Sequence, residues 1–225
     1  MTTEFFSGPS VGGYGERAHR QVPGLKDLHK MTAQLLGERV PAEGRVLVLG
    51  AGGGLELRAL AEASPGWSFE GVDPSAEMLR LAAENTAAHA ARIRLHEGTI
   101  EVAPEGPFDG ATTLLTLHFV PREQRLETLR QLRRRLRAGA PLVVAHISFP
   151  QAEPERSLWI ARHVAFGAPA GTDPEQLERS RQAIGTRLTI LAPEDEEAML
   201  AAAGFAGTTL FYAGLSLRGW VAYAS

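Results

Sequence analysis

The apolar run Val46-Leu47-Val48-Leu49 breaks directly into Gly50-Ala51-Gly52-Gly53-Gly54. A second apolar run ends at Val72-Asp73, about twenty residues further on. The first run reads as a strand, and the glycines after it let the backbone turn tightly and approach a ligand where a Cβ would collide. The acid at the tip of the second run is spaced to accept hydrogen bonds from two ribose hydroxyls. Together they point to a nucleotide-type cofactor at the edge of a parallel sheet, with the function concentrated in the first half of the chain.

The remainder of the chain extends that rhythm. A helical pattern over residues 23–39 precedes it, with Leu25, Leu28, Met31, Leu35 and Leu36 on one face. Strand and helix patterns then alternate: 46–49 with 55–62, 67–72 with 76–88, 93–95, and 108–117 with 122–137, before a fifth strand at 142–147. Such alternation specifies an α/β, doubly wound sheet with helices on both faces. Residues 150–191 change to charged helical segments broken by Gly167-Ala168-Pro169-Ala170-Gly171 and read as an inserted helical cap. Pro193 opens a helix whose first turn carries Glu194, Asp195, Glu196 and Glu197, favourable at the positive end of its dipole, and Gly204 stops it. Two alternating runs, 208–212 and 216–223, form a terminal hairpin and bring the sheet to seven strands, mostly parallel with an antiparallel last strand.

At 225 residues the chain fits one domain, 1–225, with an N-terminal arm and helix over 1–40. The formal net charge of -3 is dispersed, so no field favours nucleic acid or an anionic membrane. Cysteine is absent, which removes thiolate nucleophiles, thiolate metal sites and disulfides. No paired acids and histidines fall at metal-ligand spacing, so no metal is expected. Residues 1–15 lack a basic segment followed by an apolar stretch, and no apolar run reaches membrane-spanning length. A soluble, cytoplasmic protein is expected.

The spacing G-x-G-x-G at Gly50, Gly52 and Gly54 differs from the dinucleotide pattern G-x-G-x-x-G. It resembles motif I of the class I S-adenosylmethionine (SAM)-dependent methyltransferases. Three further stations carry the resemblance: Gly71-Val72-Asp73-Pro74-Ser75, Glu97-Gly98-Thr99-Ile100, and Phe108-Asp109 leading into Leu114-Leu115-Thr116-Leu117-His118-Phe119. The resemblance implies that Gly50, Ala51, Gly52 and Gly54 hold the methionine part of SAM. It places Asp73 and Pro74 at the ribose, Thr99 and Ile100 at the adenine, and Leu115 in the wall facing the methyl group. Asp73 also has a plain reading as a helix N-cap. Thr99 and Val48 stand where the family often has acids, near the adenine amine and the methionine ammonium.

A resemblance over nearly the whole chain is to the carboxy-SAM synthase branch, which makes carboxy-SAM for modifying the wobble uridine of tRNA. It rests on Arg20-Gln21-Val22-Pro23-Gly24, Thr116-Leu117-His118-Phe119, Ser180-Arg181 and Ala203-Gly204-Phe205. It implies that Arg181 of the inserted helix reaches the carboxylate of the modified cofactor in a neighbouring subunit, hence a homodimer through the insertion. A guanidinium suits that task because it stays charged and grips a carboxylate through two donors. The tyrosine that follows Pro-Gly in that branch, also a carboxylate contact, is Leu25 here, which leaves part of such a charge unsatisfied. Ordinary methyl transfer to a small or medium organic acceptor therefore ranks above carboxy-SAM synthesis. Below both stand a non-catalytic SAM-binding subunit and an NAD-dependent oxidoreductase.

Methyl transfer needs a base only if the acceptor must lose a proton. His118, just beyond the fourth strand, is the first candidate, His146 the second and His163 the third, each with an alternative as a packed or solvent-facing histidine. Arg130, Arg133, Arg134, Arg135 and Arg137 read as a solvated helix face opposite Leu126, Leu129, Leu132 and Leu136. Phe5, Phe6 and Tyr14 in the arm, and Trp159, His163 and Phe166 in the cap, are candidates for an acceptor wall.

Overall fold

The computed structural model describes residues 13–225, so Phe5 and Phe6 lie outside the described residues. Seven strands form one sheet: β1 (Arg45–Leu49), β2 (Ser68–Asp73), β3 (Ile93–Glu97), β4 (Gly110–Leu114), β5 (Pro141–Ile147), β6 (Phe205–Gly214) and β7 (Leu217–Ala224), in the order β3-β2-β1-β4-β5-β7-β6. The first five are mutually parallel, and β7 enters antiparallel between β5 and β6. The α/β class, the seven strands and the reversed last strand all agree with the sequence pattern.

Alternation along the strands divides the core into two. Val46 and Val48 of β1 face one cluster and Leu47 and Leu49 the other, because successive side chains point to opposite faces. Helices α2 (Leu25–Gly37), α3 (Leu55–Ala63) and α4 (Ala76–Asn85) cover the first face. Helices α5 (Arg122–Arg135) and α8 (Pro193–Ala202) cover the second. Chain crossovers leave β1 toward β2 and leave β4 toward β5, so the paired ends of β1 and β4 form the switch point where an open α/β sheet has its crevice.

Three local differences from the sequence reading have physical causes. Within the expected N-terminal arm and helix, an extra helix, α1 (Tyr14–Gln21), precedes the one whose pattern the sequence shows. Its segment is too polar to signal a helix and has no fully buried residue; it is placed by packing against α2 and α6 (Glu155–Gly167). The fourth strand ends at Leu114 instead of 117, because Leu115 turns into the left-handed region at φ 57 and a short 3-10 turn follows over Leu117–Phe119. The sixth strand is longer than the apolar run, since bulges at 206–209 and 210–212 interrupt its alternation. Between β5 and α8 lie α6 and α7 (Pro174–Arg187), the segment expected as a helical insertion. No helix among the described residues is long and apolar enough to cross a membrane.

A buried ionic cluster ties this insertion to the second face. Arg125 of α5 donates through Nη1 to Glu196 Oε1 of α8 at 2.5 Å, and through Nη2 to the carbonyls of Leu117 (2.7 Å) and Thr189 (2.6 Å). His146 Nε2 lies 3.0 Å from the same Glu196 oxygen, off the direction of a good hydrogen bond. Burial alone would raise the Glu196 carboxyl, but His146 and Arg125 outweigh it and hold the group below the usual carboxylate range. Glu196→Ala leaves the Arg125 guanidinium buried without its counter-charge and is expected to lower stability by about 3–5 kcal/mol. Urea unfolding measures this, and a loss below about 1 kcal/mol would show that the cluster carries no such weight.

Candidate active site

The turn after β1 is fixed by β2 before any ligand arrives. The amides of Gly50 and Ala51 both donate to the Val72 carbonyl, at 2.8 and 3.0 Å. Gly50 has φ 82, and a Cβ there would run into the Thr116 side chain at the end of β4. Gly52 has φ 49, and a Cβ there would stand 2.9 Å from the Tyr14 hydroxyl, in the cleft. Both positions therefore need glycine for conformation and for space.

Asp73, 7% exposed, closes the same turn. Its Oδ2 accepts the Gly52 amide at 2.9 Å and its Oδ1 the Ser75 amide at 3.0 Å. Burial raises its carboxyl above the usual value, and those two amides act against the rise. The helix cap of α4 is Ser75, whose hydroxyl accepts from Met78, so the cap reading of Asp73 is corrected. Each Asp73 oxygen retains acceptor capacity for a further donor, as two neighbouring hydroxyls require.

Two hollows meet at Gly50 and Thr116. One, of about 800 Å³, is lined by Pro74, Thr99, Ile100, Glu101 and the start of α5. The Thr99 hydroxyl donates to Glu101, so a carboxylate stands beside the position where the sequence resemblance expects one. The other lies between Gly50, Ala51, Gly52, Asp73, Leu115 and the helices α1, α2 and α3. Pro74, Thr99 and Ile100 thus line one hollow, and the glycine turn with Leu115 the other. Gly54 is not in either lining; it is the left-handed cap of α3, and a Cβ there would come within 2.8 Å of Ala82 in α4. A third hollow, of about 1150 Å³, shares Tyr14, Ala18, Leu115 and Phe119 with the second and runs on beneath α1, α6 and α7.

Leu115 stands at the junction. A left-handed conformation costs a non-glycine residue about 1–2 kcal/mol. It is held by the Leu115 amide on the Ala145 carbonyl at 2.5 Å and by the Thr116 hydroxyl on the Leu114 carbonyl at 2.9 Å. The sharp turn brings Leu115, His118 and Phe119 to the large hollow.

His118 is buried in that wall, its Nδ1 accepting the Ile147 amide at 3.4 Å, which leaves the ring proton on Nε2. Burial first, then His146, Arg125 and His163 nearby, hold it neutral, well below the ordinary imidazole value. His163 of α6 lines the same hollow, Nδ1 2.6 Å from the Ser216 hydroxyl, and burial lowers it too. His146 differs from the expectation. It is 1% exposed beside Trp220 and Glu196, because β5 alternates and Ile147, its neighbour, takes the cleft side. Arg181 is also outside the cleft: on α7 it pairs with Glu178 at 3.3 Å and lines a separate groove with Arg156 and Ile160. Tyr14 is brought to both hollows, whereas Trp159 stacks on Phe149 and Phe166 is exposed.

Two titratable residues lining the second hollow have no place in the sequence reading. His29 of α2 is nearly buried, and burial with His19 and Arg58 lowers it to about 4. Glu56 of α3 is buried with Oε1 unpartnered, and burial raises it to about 8. A signal existed for Glu56: one turn before Leu60, it places a carboxyl on the buried stripe of its helix.

A family model described as a methyltransferase domain matches residues 46–139. A carboxy-S-adenosyl-L-methionine synthase of Ectopseudomonas mendocina is 26% identical over 226 residues, spanning 96% of this chain and 91% of that protein. Among solved structures, phosphoethanolamine N-methyltransferase 2 of Haemonchus contortus with S-adenosyl-L-methionine has a TM-score of 0.72 at 13% identity, covering 97% of this chain. Human N-acetylserotonin methyltransferase with SAM has a TM-score of 0.59 at 16% identity, covering all of this chain. This chain spans only 57% and 60% of those two structures' chains. The methyltransferase-domain match over residues 46–139, the glycine turn and the carboxylate at the tip of β2 make the chain similar to class I SAM-dependent methyltransferases, carboxy-SAM synthases among them, and support S-adenosyl-L-methionine as its cofactor.

Proposed function

We propose that the protein transfers the methyl group of SAM to a small or medium organic acceptor bound in the large hollow beneath α1, α6 and α7. The supporting observation is continuity: Tyr14, Ala18, Leu115 and Phe119 belong both to the cleft beside the glycine turn and to this hollow. An acceptor there would meet the cofactor at Leu115. Bound SAM supplies a methyl carbon already activated by the sulfonium, so an in-line displacement suffices. The protein's task is then placement, for which aligned reactants can supply about 7–11 kcal/mol.

In this reading Asp73 takes the ribose hydroxyls, and Gly50, Ala51 and Gly52 pass beneath the methionine tail while Gly54 sets the helix behind them. Pro74, Thr99 and Ile100 flank the adenine, with the Glu101 carboxylate beside Thr99. Leu115 backs the methyl group. His118 offers its Nε2 proton to the acceptor in the tautomer seen, and receives a proton only in the other one; His163 is the second ring available to the same space.

The similarity to carboxy-SAM synthases supports a second reading, with the cofactor carboxylated. Leu25 weighs against it, since it lines the cleft with an aliphatic side chain where that branch has a hydroxyl. Mass analysis of the nucleoside that copurifies with the protein separates the two, and a carboxylated sulfonium would reverse their order. A homodimer through α6 and α7 is proposed on Leu158 and Phe166, both exposed on α6, and on Arg181, which lies outside the cofactor cleft of its own chain. Sedimentation as a monomer, with unchanged cofactor affinity in Arg181→Ala, would reject it.

Two outcomes test the principal reading. Asp73→Asn is expected to weaken S-adenosylhomocysteine binding roughly 10- to 100-fold by calorimetry, because the charged acceptor is lost while the shape is kept. Equal affinity would remove Asp73 from the site. Incubation with isotope-labelled SAM and an acceptor panel should then move label into a small molecule; binding without any transfer would favour a non-catalytic subunit. Once an acceptor is known, a His118 base whose pKa lies below the ordinary value predicts a rate independent of pH above about 7. His118→Gln should lower kcat by about 10²- to 10⁴-fold. A rate still climbing toward alkaline pH would assign the proton to another group.

A further inference from the structure

The methionine end of the cleft has two acids in its lining, Asp73 and Glu56. Asp73 already uses one lone pair of each oxygen on the amides of Gly52 and Ser75. Glu56 uses none that the structure shows. Its side chain is 94% buried by the 6% exposure that remains, and Oε1 has no hydrogen-bond partner. The Thr112 hydroxyl of β4 is near enough to favour the ionised form but falls short of hydrogen-bond geometry. Burying a carboxyl without partners is costly, and an apolar side chain would fill the same space beside Leu57 and Leu60 without that cost. A lone carboxyl at the wall of a cavity is complementary to a cation entering that cavity.

Among the described residues no cation acts on Glu56. Of the titratable groups around this end of the cleft, Tyr14 on α1 is neutral, its phenol raised to about 12 by burial and by Asp73. His29 on α2 is neutral, lowered to about 4 by burial, and Asp73 at the end of β2 is an acid. Arg17 on α1 acts on Tyr14 and lines the acceptor hollow, and Arg58 on α3 acts on His29. The sheet adds only the Thr112 hydroxyl from β4.

We infer that Glu56 is the counter-ion for the α-ammonium of the cofactor's amino-acid tail, and that it surrenders a proton to solvent when that tail enters. The inference rests on the reading of the cleft as the SAM site. The proton balance is simple: the ligand brings its positive charge, the Glu56 carboxyl ionises to meet it, and the released proton passes to buffer. A carboxyl whose pKa falls on binding gives an affinity that rises with pH while the free form is still protonated, by at most about tenfold per pH unit. The rise should end near pH 8, where Glu56 of the free protein is already ionised.

The experiment is calorimetry on the full chain in two buffers of different ionisation enthalpy, with S-adenosylhomocysteine and with methylthioadenosine, which has the adenosine and sulfur but no amino-acid tail. At pH 7 the wild-type protein should release close to about one proton per S-adenosylhomocysteine bound and none with methylthioadenosine. Glu56→Gln, nearly isosteric, should abolish the release and weaken S-adenosylhomocysteine roughly 10- to 100-fold, with methylthioadenosine unchanged within about twofold. The difference between protein variants isolates Glu56 from any proton taken up by His29. Binding of S-adenosylhomocysteine by wild type without proton release overturns the inference, as does undiminished affinity in Glu56→Gln or an equal loss of both ligands. If wild type binds neither nucleoside, the cofactor reading fails, and this assignment with it.

Discussion

The contact on which the site depends is between the tip of one strand and the turn after another. Asp73 at the end of β2 accepts the Gly52 amide, while the Val72 carbonyl takes the amides of Gly50 and Ala51. The glycine turn therefore hangs from β2 by three hydrogen bonds, and its shape is set before a ligand binds. The same carboxylate that holds the turn faces the cleft, so a ligand offering hydroxyls completes an acceptor already oriented. Little ordering is left for binding to cost. The arrangement also explains why glycine is required here: the amides that must point inward are reached only through left-handed backbone at Gly50 and Gly52.

Ionisable groups are distributed by the company they keep. On the second face of the sheet, Arg125 and Glu196 are buried as charges because they meet directly and Arg125 also finds two carbonyls. On the cleft face, Tyr14, His29 and Glu56 are buried separately, and each is driven toward its neutral form by desolvation. On that second face the Arg125 and Glu196 charges are thus met within the protein. On the cleft face the unpartnered Glu56 oxygen lines the hollow beside the glycine turn, where the proposed cofactor tail would enter.

The strand pattern, the glycine turn and Asp73 are legible in the sequence because each depends on neighbours in the chain: alternation fixes the sheet, and glycine spacing fixes the turn. Thr99, Ile100 and Leu115 were named only through the family resemblance, which ties each of them to the end of a strand. What spacing could not supply is the direction of a side chain relative to the sheet. His118 and His146 look equivalent as histidines near strand ends, yet the pleat of β5 sends His146 to Glu196 on the far face while the turn at Leu115 delivers His118 to the hollow. Glu56 and His29 were hidden within ordinary amphipathic helices, where a single polar residue on the buried stripe is easily read as part of the exposed one. Tyr14 was visible only as an aromatic in an arm, because α1 owes its form to tertiary contacts that no local pattern announces.

That weakness of α1 has a mechanical consequence. It has no fully buried residue, yet Tyr14 and Ala18 wall both the cofactor cleft and the acceptor hollow. Just beyond it the chain is firmly held: Val22 and Leu25 are in the core, and the Tyr212 hydroxyl of β6 donates to the Pro23 carbonyl at 2.6 Å. Local opening concentrates where buried contact is least. The wall of the site at α1 is thus thinly buried and meets the glycine turn through Tyr14, while the chain that follows it is anchored in the core at Val22 and Leu25.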